Sequence, residues 1–156
     1  MISPELLRRY PFFGTLNDSE LKELAMITEE AAIEQETVLF TEGQVADTLY
    51  FLVEGSIDLV YSVQEQYRPE TRKDFLVGEI NPGEVFAIST LIEPYVYTST
   101  ARAGKRSRVL KIDAQTLRDL LAKDCTLGYK VMRQIARAAI ERLASARVML
   151  ADARLT

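Results

Sequence analysis

The strongest constraint on this chain is a double change of hydrophobic period. From about residue 31 to residue 112 apolar side chains recur at every second position in short runs, and each run is cut off by a turn signal. The spacing predicts strands over 37–40, 48–53, 56–61, 73–80, 98–103 and 107–112. Glu42-Gly43, Glu54-Gly55 and Asn81-Pro82-Gly83 read as the turns between them, and a polar stretch over about 64–71 reads as a loop. Strands this short and closely spaced fit an antiparallel barrel or sandwich.

Helical signals flank this block. Ser3 can cap a first helix that has Pro4 in its opening turn and stops by Pro11. Asn17 followed three residues later by Glu20 forms a capping box for a short helix through Leu21, Leu24 and Ala25. After Ile112 the period returns to three and four. Asp113 caps a helix carrying Leu117, Leu120 and Leu121, and Asp124 caps a longer one. In that last helix Met132, Ile135, Ala139, Leu143, Ala146 and Leu150 form one apolar stripe about five turns long. Its final turns outrun any barrel that 112 residues can build. The expectation is that the stripe pairs with its twin in a homodimer, with small Ala139 and Ala146 permitting close approach. Packing wholly against its own domain is the alternative. The chain thus divides into a β domain with flanking helices, residues 1–124, and a helical dimer segment, residues 125–156.

Composition removes several functions. With no histidine and a single cysteine, Cys125, the chain lacks the usual ligands of zinc, the usual general base, and the thiolates of an iron–sulfur cluster. Ser89, Ser99 and Cys125 have no base to activate them, and no spacing matches a phosphate or dinucleotide loop. No enzyme activity is expected. A net charge of −4 offers no footprint for nucleic acid or an anionic membrane. The absence of a signal peptide, a membrane span and paired cysteines points to the cytoplasm.

The order of several short signals narrows the fold. Phe40 through Ile57, with Gly43, Asp47, Tyr50 and Gly55 at its turns and strand, resembles the front half of cyclic-nucleotide-binding domains, the family of catabolite activator proteins and protein kinase A regulatory subunits. Gly83-Glu84-Val85-Phe86 aligns with the opening of that family's phosphate-binding cassette, and residues 98–103 with the strand after it. Pro11-Phe12-Phe13 and the stretch over 16–24 resemble its helical entry. The resemblance runs from about residue 6 to residue 150. It implies an eight-stranded antiparallel β-roll of jelly-roll type, N-terminal helices and a long C-terminal dimerisation helix.

It also assigns a candidate site: Gly83, Glu84, Phe86, Ala87, Ile88, Ser89, Tyr97, Thr98 and Ser99. At the positions that carry the family's chemistry this sequence departs. Ala87 stands for the cassette glycine, Ile88 for the ribose-binding glutamate, Val96 for the proline and Tyr97 for the phosphate-binding arginine. Exchanging charge-assisted bonds for one neutral hydroxyl costs several kcal/mol, a weakening of order 10² to 10⁴. Free N–H groups at the start of a cassette helix near 88–92, and the hydroxyls of Thr98 and Ser99, remain as a modest anion site. Arg102 is read as more structural than ligand-binding. Three outcomes stay open: the new apolar side chains close the pocket, the pocket takes a flatter or less charged ligand, or weak cyclic-nucleotide binding persists. A small-molecule ligand other than standard cyclic AMP or cyclic GMP is therefore the expected partner, with output through a protein partner or the dimer. No cofactor is implied, because haem would have only Cys125 or a methionine. No helix-turn-helix follows the long helix within these residues, so no DNA contact is expected.

Overall fold

A computed structural model describes residues 1–65 and 68–156. The element order is α1 (Pro4–Arg8), a 3₁₀ turn (Pro11–Phe13), α2 (Asp18–Met26), β1 (Thr28–Ile33), β2 (Val38–Phe40), β3 (Thr48–Glu54), β4 (Ile57–Glu65), β5 (Arg68–Ile80), β6 (Val85–Phe86), a second 3₁₀ turn (Ile88–Leu91), β7 (Thr100–Ala103), β8 (Ser107–Asp113), α3 (Ala114–Lys123) and α4 (Cys125–Leu155). The strands form two four-stranded antiparallel sheets, ordered β1-β8-β3-β6 and β2-β7-β4-β5. This is the β-roll with flanking helices that the resemblance implied.

The four expected caps all close. Ser3 accepts from Glu5 N–H, Asn17 and Glu20 exchange both bonds of a capping box, Asp113 accepts from Thr116 N–H, and Asp124 accepts from Leu127 N–H. The strand readings need three corrections. The sequence pattern does not mark β1 or β6 as separate strands. β1 has the pattern TEEAAI, with only small apolar groups, and β6 is two residues long. The expected loop over 64–71 falls partly outside the described residues. Within them, β4 continues to Glu65 and β5 begins at Arg68, so most of that stretch is strand. Finally, the strand expected from Thr98 begins at Thr100.

β3 explains why the core is double. Its residues Leu49 to Leu52 are all buried, but they alternate between two faces. Leu49 and Phe51 join Leu110 and Ile112 of β8 against the helices, together with Leu7, Leu24, Leu117, Leu127 and Ile135. Tyr50 and Leu52 point the other way, into the roll, with Phe40, Phe86, Tyr97 and Val109. The turn into β4 depends on Gly55, whose φ is +104° and where an added Cβ would lie 2.7 Å from the Ser107 Cα.

Candidate functional site

The site lies where β6 leaves the roll. Ala87, just past Phe86, has φ 64° and ψ 39°, a left-handed conformation that a Cβ disfavours by about 1–2 kcal/mol. The glycine that the resemblance expects at this position has an evident use. The turn that follows is four residues long and 3₁₀, with no side-chain cap. The cassette helix expected near 88–92 is thus one turn. It aligns too few peptide dipoles to bind an anion by itself. The chain then returns through Tyr95 to Tyr97 alongside the loop at 43–46. Ala46 N–H donates to the Tyr95 carbonyl at 2.8 Å, Gly43 N–H donates to the Tyr97 carbonyl at 2.9 Å, and Tyr97 N–H donates to the Gln44 carbonyl at 3.0 Å.

These bonds fix where Tyr97 goes. Its ring enters the roll, is 4% exposed, and stacks on Phe40 with centroids 4.0 Å apart and planes 14° from parallel. Phe40 in turn stacks on Tyr50, and Tyr50 on Phe86 at 5.1 Å. Four aromatic rings thus occupy the roll interior behind the cassette. The Tyr97 hydroxyl is also engaged. It donates to the Asp47 carboxylate at 3.0 Å and accepts from Thr48 N–H at 3.1 Å. Burial, reinforced by the Asp47 carboxylate, pushes its pKa up to about 12, so it stays a neutral donor.

The other expected site residues divide. Gly83, at φ +90°, and Glu84 form the turn into β6, where Glu84 accepts from Asn81 N–H at 3.0 Å. Phe86 is fully buried in the roll. Ala87, Ile88, Ser89, Tyr97, Thr98 and Ser99 line one cavity of about 110 Å³. The hydroxyls of Ser89, Thr98 and Ser99 have no hydrogen-bond partner among the described residues. Arg102 points outward on β7, 3.8 Å from the Glu36 carboxylate, away from the cavity.

Three residues of the cavity, Phe40, Leu59 and Arg142, lie outside the site expected from the sequence, and only Arg142 is charged. Arg142 of α4 lines the same space, and its Nη2 donates to the carbonyl of Val85. A signal for it exists. Val131 and Ile135 are buried and Ala138 packs on the core, at spacings of four and three, and Arg142 is the next position on that inward face. A basic residue stands where the helical period calls for an apolar one.

The apolar stripe of α4 also divides. Ile135 is 3% exposed and sits in the protomer's own core, and Met132 is half-buried against it. Ala139, Leu143, Ala146 and Leu150 lie on the exposed part, with Leu143 50% and Leu150 56% exposed. β5, which carries exposed Phe75, Leu76 and Val77, runs in contact with this helix.

Among the described residues no group of three or more cysteine, aspartate or glutamate side chains is placed to hold a metal. No helix among them is long and apolar enough to cross a membrane.

Comparison with known proteins adds three findings. The family model for the cyclic nucleotide-binding domain matches residues 30–124. A crystal structure from Geobacter metallireducens GS-15, of a protein provisionally described as cyclic nucleotide-binding, superposes with a TM-score of 0.78 and is 39% identical, covering 92% of this chain and 99% of its own. Among curated proteins, a provisionally named potassium channel protein of Rhodopseudomonas palustris is 21% identical over 84% of this chain. A CRP-like cAMP-activated global transcriptional regulator of Mycobacterium tuberculosis is 24% identical over 85% of it. The chain spans only 30% and 57% of the length of those two relatives.

Proposed function

This chain belongs to the cyclic nucleotide-binding domain family, and we propose that within it the chain is a non-enzymatic regulatory module of the cytoplasm whose cassette does not take cyclic AMP or cyclic GMP. The reading rests on Tyr97. In place of a guanidinium facing a cyclic phosphate, the chain has a neutral phenol turned into the roll, with its hydroxyl spent on Asp47 and Thr48. Ile88 supports it by setting a carbon wall where a ribose would need an acceptor. So does size: ligand pockets usually run from about 300 Å³ upward, and the cavity here is about 110 Å³.

Signalling in this reading divides between the roll, residues 1–124, which senses, and the helix from residue 125, which transmits. Two copies pair through Ala139, Leu143, Ala146 and Leu150, and occupancy of the cassette alters that pairing. Exposed leucines over the last turns of α4 support such a contact. A second reading, a rigid interaction domain with a closed pocket, draws on the four rings that fill the roll.

Thermal unfolding against a panel of cyclic AMP, cyclic GMP and other metabolites is the test. The expected result is no shift with either cyclic nucleotide. A rise of several degrees in Tm at micromolar cyclic AMP or cyclic GMP would overturn the reading.

A further inference from the structure

Arg142 is buried on one side without a matching negative charge. Its Nη2 reaches the Val85 carbonyl, but its Nε is buried with no hydrogen-bond partner. None of the ion pairs of 4.0 Å or less among the described residues includes it. Burial lowers its pKa below the usual arginine value, opposed by the more distant carboxylates of Glu84 and Glu141. A guanidinium has five N–H donors, and leaving such a group desolvated and half-satisfied is costly. An anion would complete it.

The surroundings suit one kind of anion. The cavity beside Arg142 is lined by the unpartnered hydroxyls of Ser89, Thr98 and Ser99, each able to donate. A guanidinium fork and three hydroxyls offer more donors than the two oxygens of a carboxylate can accept, and they match the four oxygens of a tetrahedral oxyanion. The volume, about 110 Å³, admits a phosphate-sized group but not a nucleoside with it. We propose that Arg142, reaching in from α4, makes the cassette a site for a small phosphate-class oxyanion, held together with Ser89, Thr98 and Ser99. The inference rests on the reading that the cassette takes no standard cyclic nucleotide, and it moves the anion-binding cation from the roll to the output helix. An anion there competes with the Val85 carbonyl for the same guanidinium, so binding acts directly on the seat of α4.

Titration of the full chain with inorganic phosphate, at ionic strength held constant with chloride, tests this by calorimetry and by Tm. The wild type is expected to show saturable binding and a rise in Tm. Arg142→Gln is expected to weaken the phosphate midpoint by about tenfold or more, the worth of one charged hydrogen bond. Arg137→Gln, an exposed arginine on the same helix, is expected to leave it unchanged. If Arg142→Gln does not fold, the double variant Thr98→Val, Ser99→Ala takes its place and is expected to weaken phosphate by several-fold. Absence of saturable phosphate binding in the wild type, or equal loss in Arg142→Gln and Arg137→Gln, would overturn the proposal. A parallel arm with cyclic AMP separates the two readings. Cyclic AMP binding alongside an Arg142-dependent phosphate response sinks only the functional reading above, whereas no response to either sinks only this one.

Discussion

The two halves of α4 share a composition and meet opposite fates. Up to Ala138 the helix lays Leu127, Val131 and Ile135 into the core beneath β3 and β8. Beyond it, Ile140, Leu143, Met149 and Leu150 are all at least 41% exposed, and the one inward side chain is the charged Arg142. An apolar period therefore says that a face will be covered without saying by what. The domain covers the first half and leaves the second exposed.

The sharpest way to break this comparison is a matched pair of truncations. Ile135→Ala is expected to cost about 2–5 kcal/mol, as for other buried aliphatic side chains cut back to alanine, whereas Leu143→Ala costs the monomer under about 0.5 kcal/mol. Urea unfolding of the two variants at a concentration that keeps the protein monomeric measures both. Similar losses would mean that the second half is covered by its own domain after all.

Self-association is the next largest effect. Burying a leucine is worth roughly 1.5–3 kcal/mol, so Leu143→Glu combined with Leu150→Glu is expected to abolish the pairing proposed above. Sedimentation velocity reads this directly. A wild type that stays monomeric at high concentration removes the homodimer, and a double variant that still dimerises moves the contact elsewhere.

Tyr97 tests the other buried region, the filled roll. Tyr97→Phe leaves the stack on Phe40 and removes the bonds to Asp47, which water can replace, and to Thr48, and is expected to cost about 0.5–1.5 kcal/mol. Its pH dependence has a definite sign. Because burial raises the folded pKa to about 12 from an ordinary 10, the hydroxyl's contribution is full below pH 10 and lost as the pH rises through 12. Stability of the wild type should fall more steeply than that of Tyr97→Phe across this window, and equal slopes would mean that the hydroxyl is solvated.

The smallest effect is at the surface. Arg106 and Glu34 lie 3.6 Å apart with side chains 76% and 74% exposed. Arg106→Ala is expected to change stability by less than about 0.5 kcal/mol. A larger loss would show that this edge of the roll is less solvated than its exposure implies.

Much of the fold was legible because its signals are local. The helix caps depend on one side chain and a backbone N–H two or three residues on, and all four formed. Strands with bulky alternating residues were legible too. Those that escaped carry little local information: β1 offers only TEEAAI, and β6 is two residues that become a strand by pairing Phe86 with Tyr50 and Val85 with Phe51. The polar stretch over 64–71 read as a loop because polarity marks solvent, whereas its described residues belong to β4 and to β5, an edge strand, where polar side chains are also tolerated.

The site was half legible. From the sequence by itself came the expectation that Ile88 and Tyr97 stand where the resemblance places charged groups, together with the absence of histidine and the apolar stripe of the last helix. Tertiary structure alone decided that Tyr97 turns into the roll and closes it against Phe40, and that a cation returns to the cavity from Arg142. It also decided that Ile135 sits in the protomer's own core, with Met132 half-buried against it, while Leu143 and Leu150 face outward. The physical reason is separation along the chain. Phe40 and Tyr97, or Val85 and Arg142, meet only when strands and helices distant in sequence pack together, and no local period records which side chain will fill a space that several segments share.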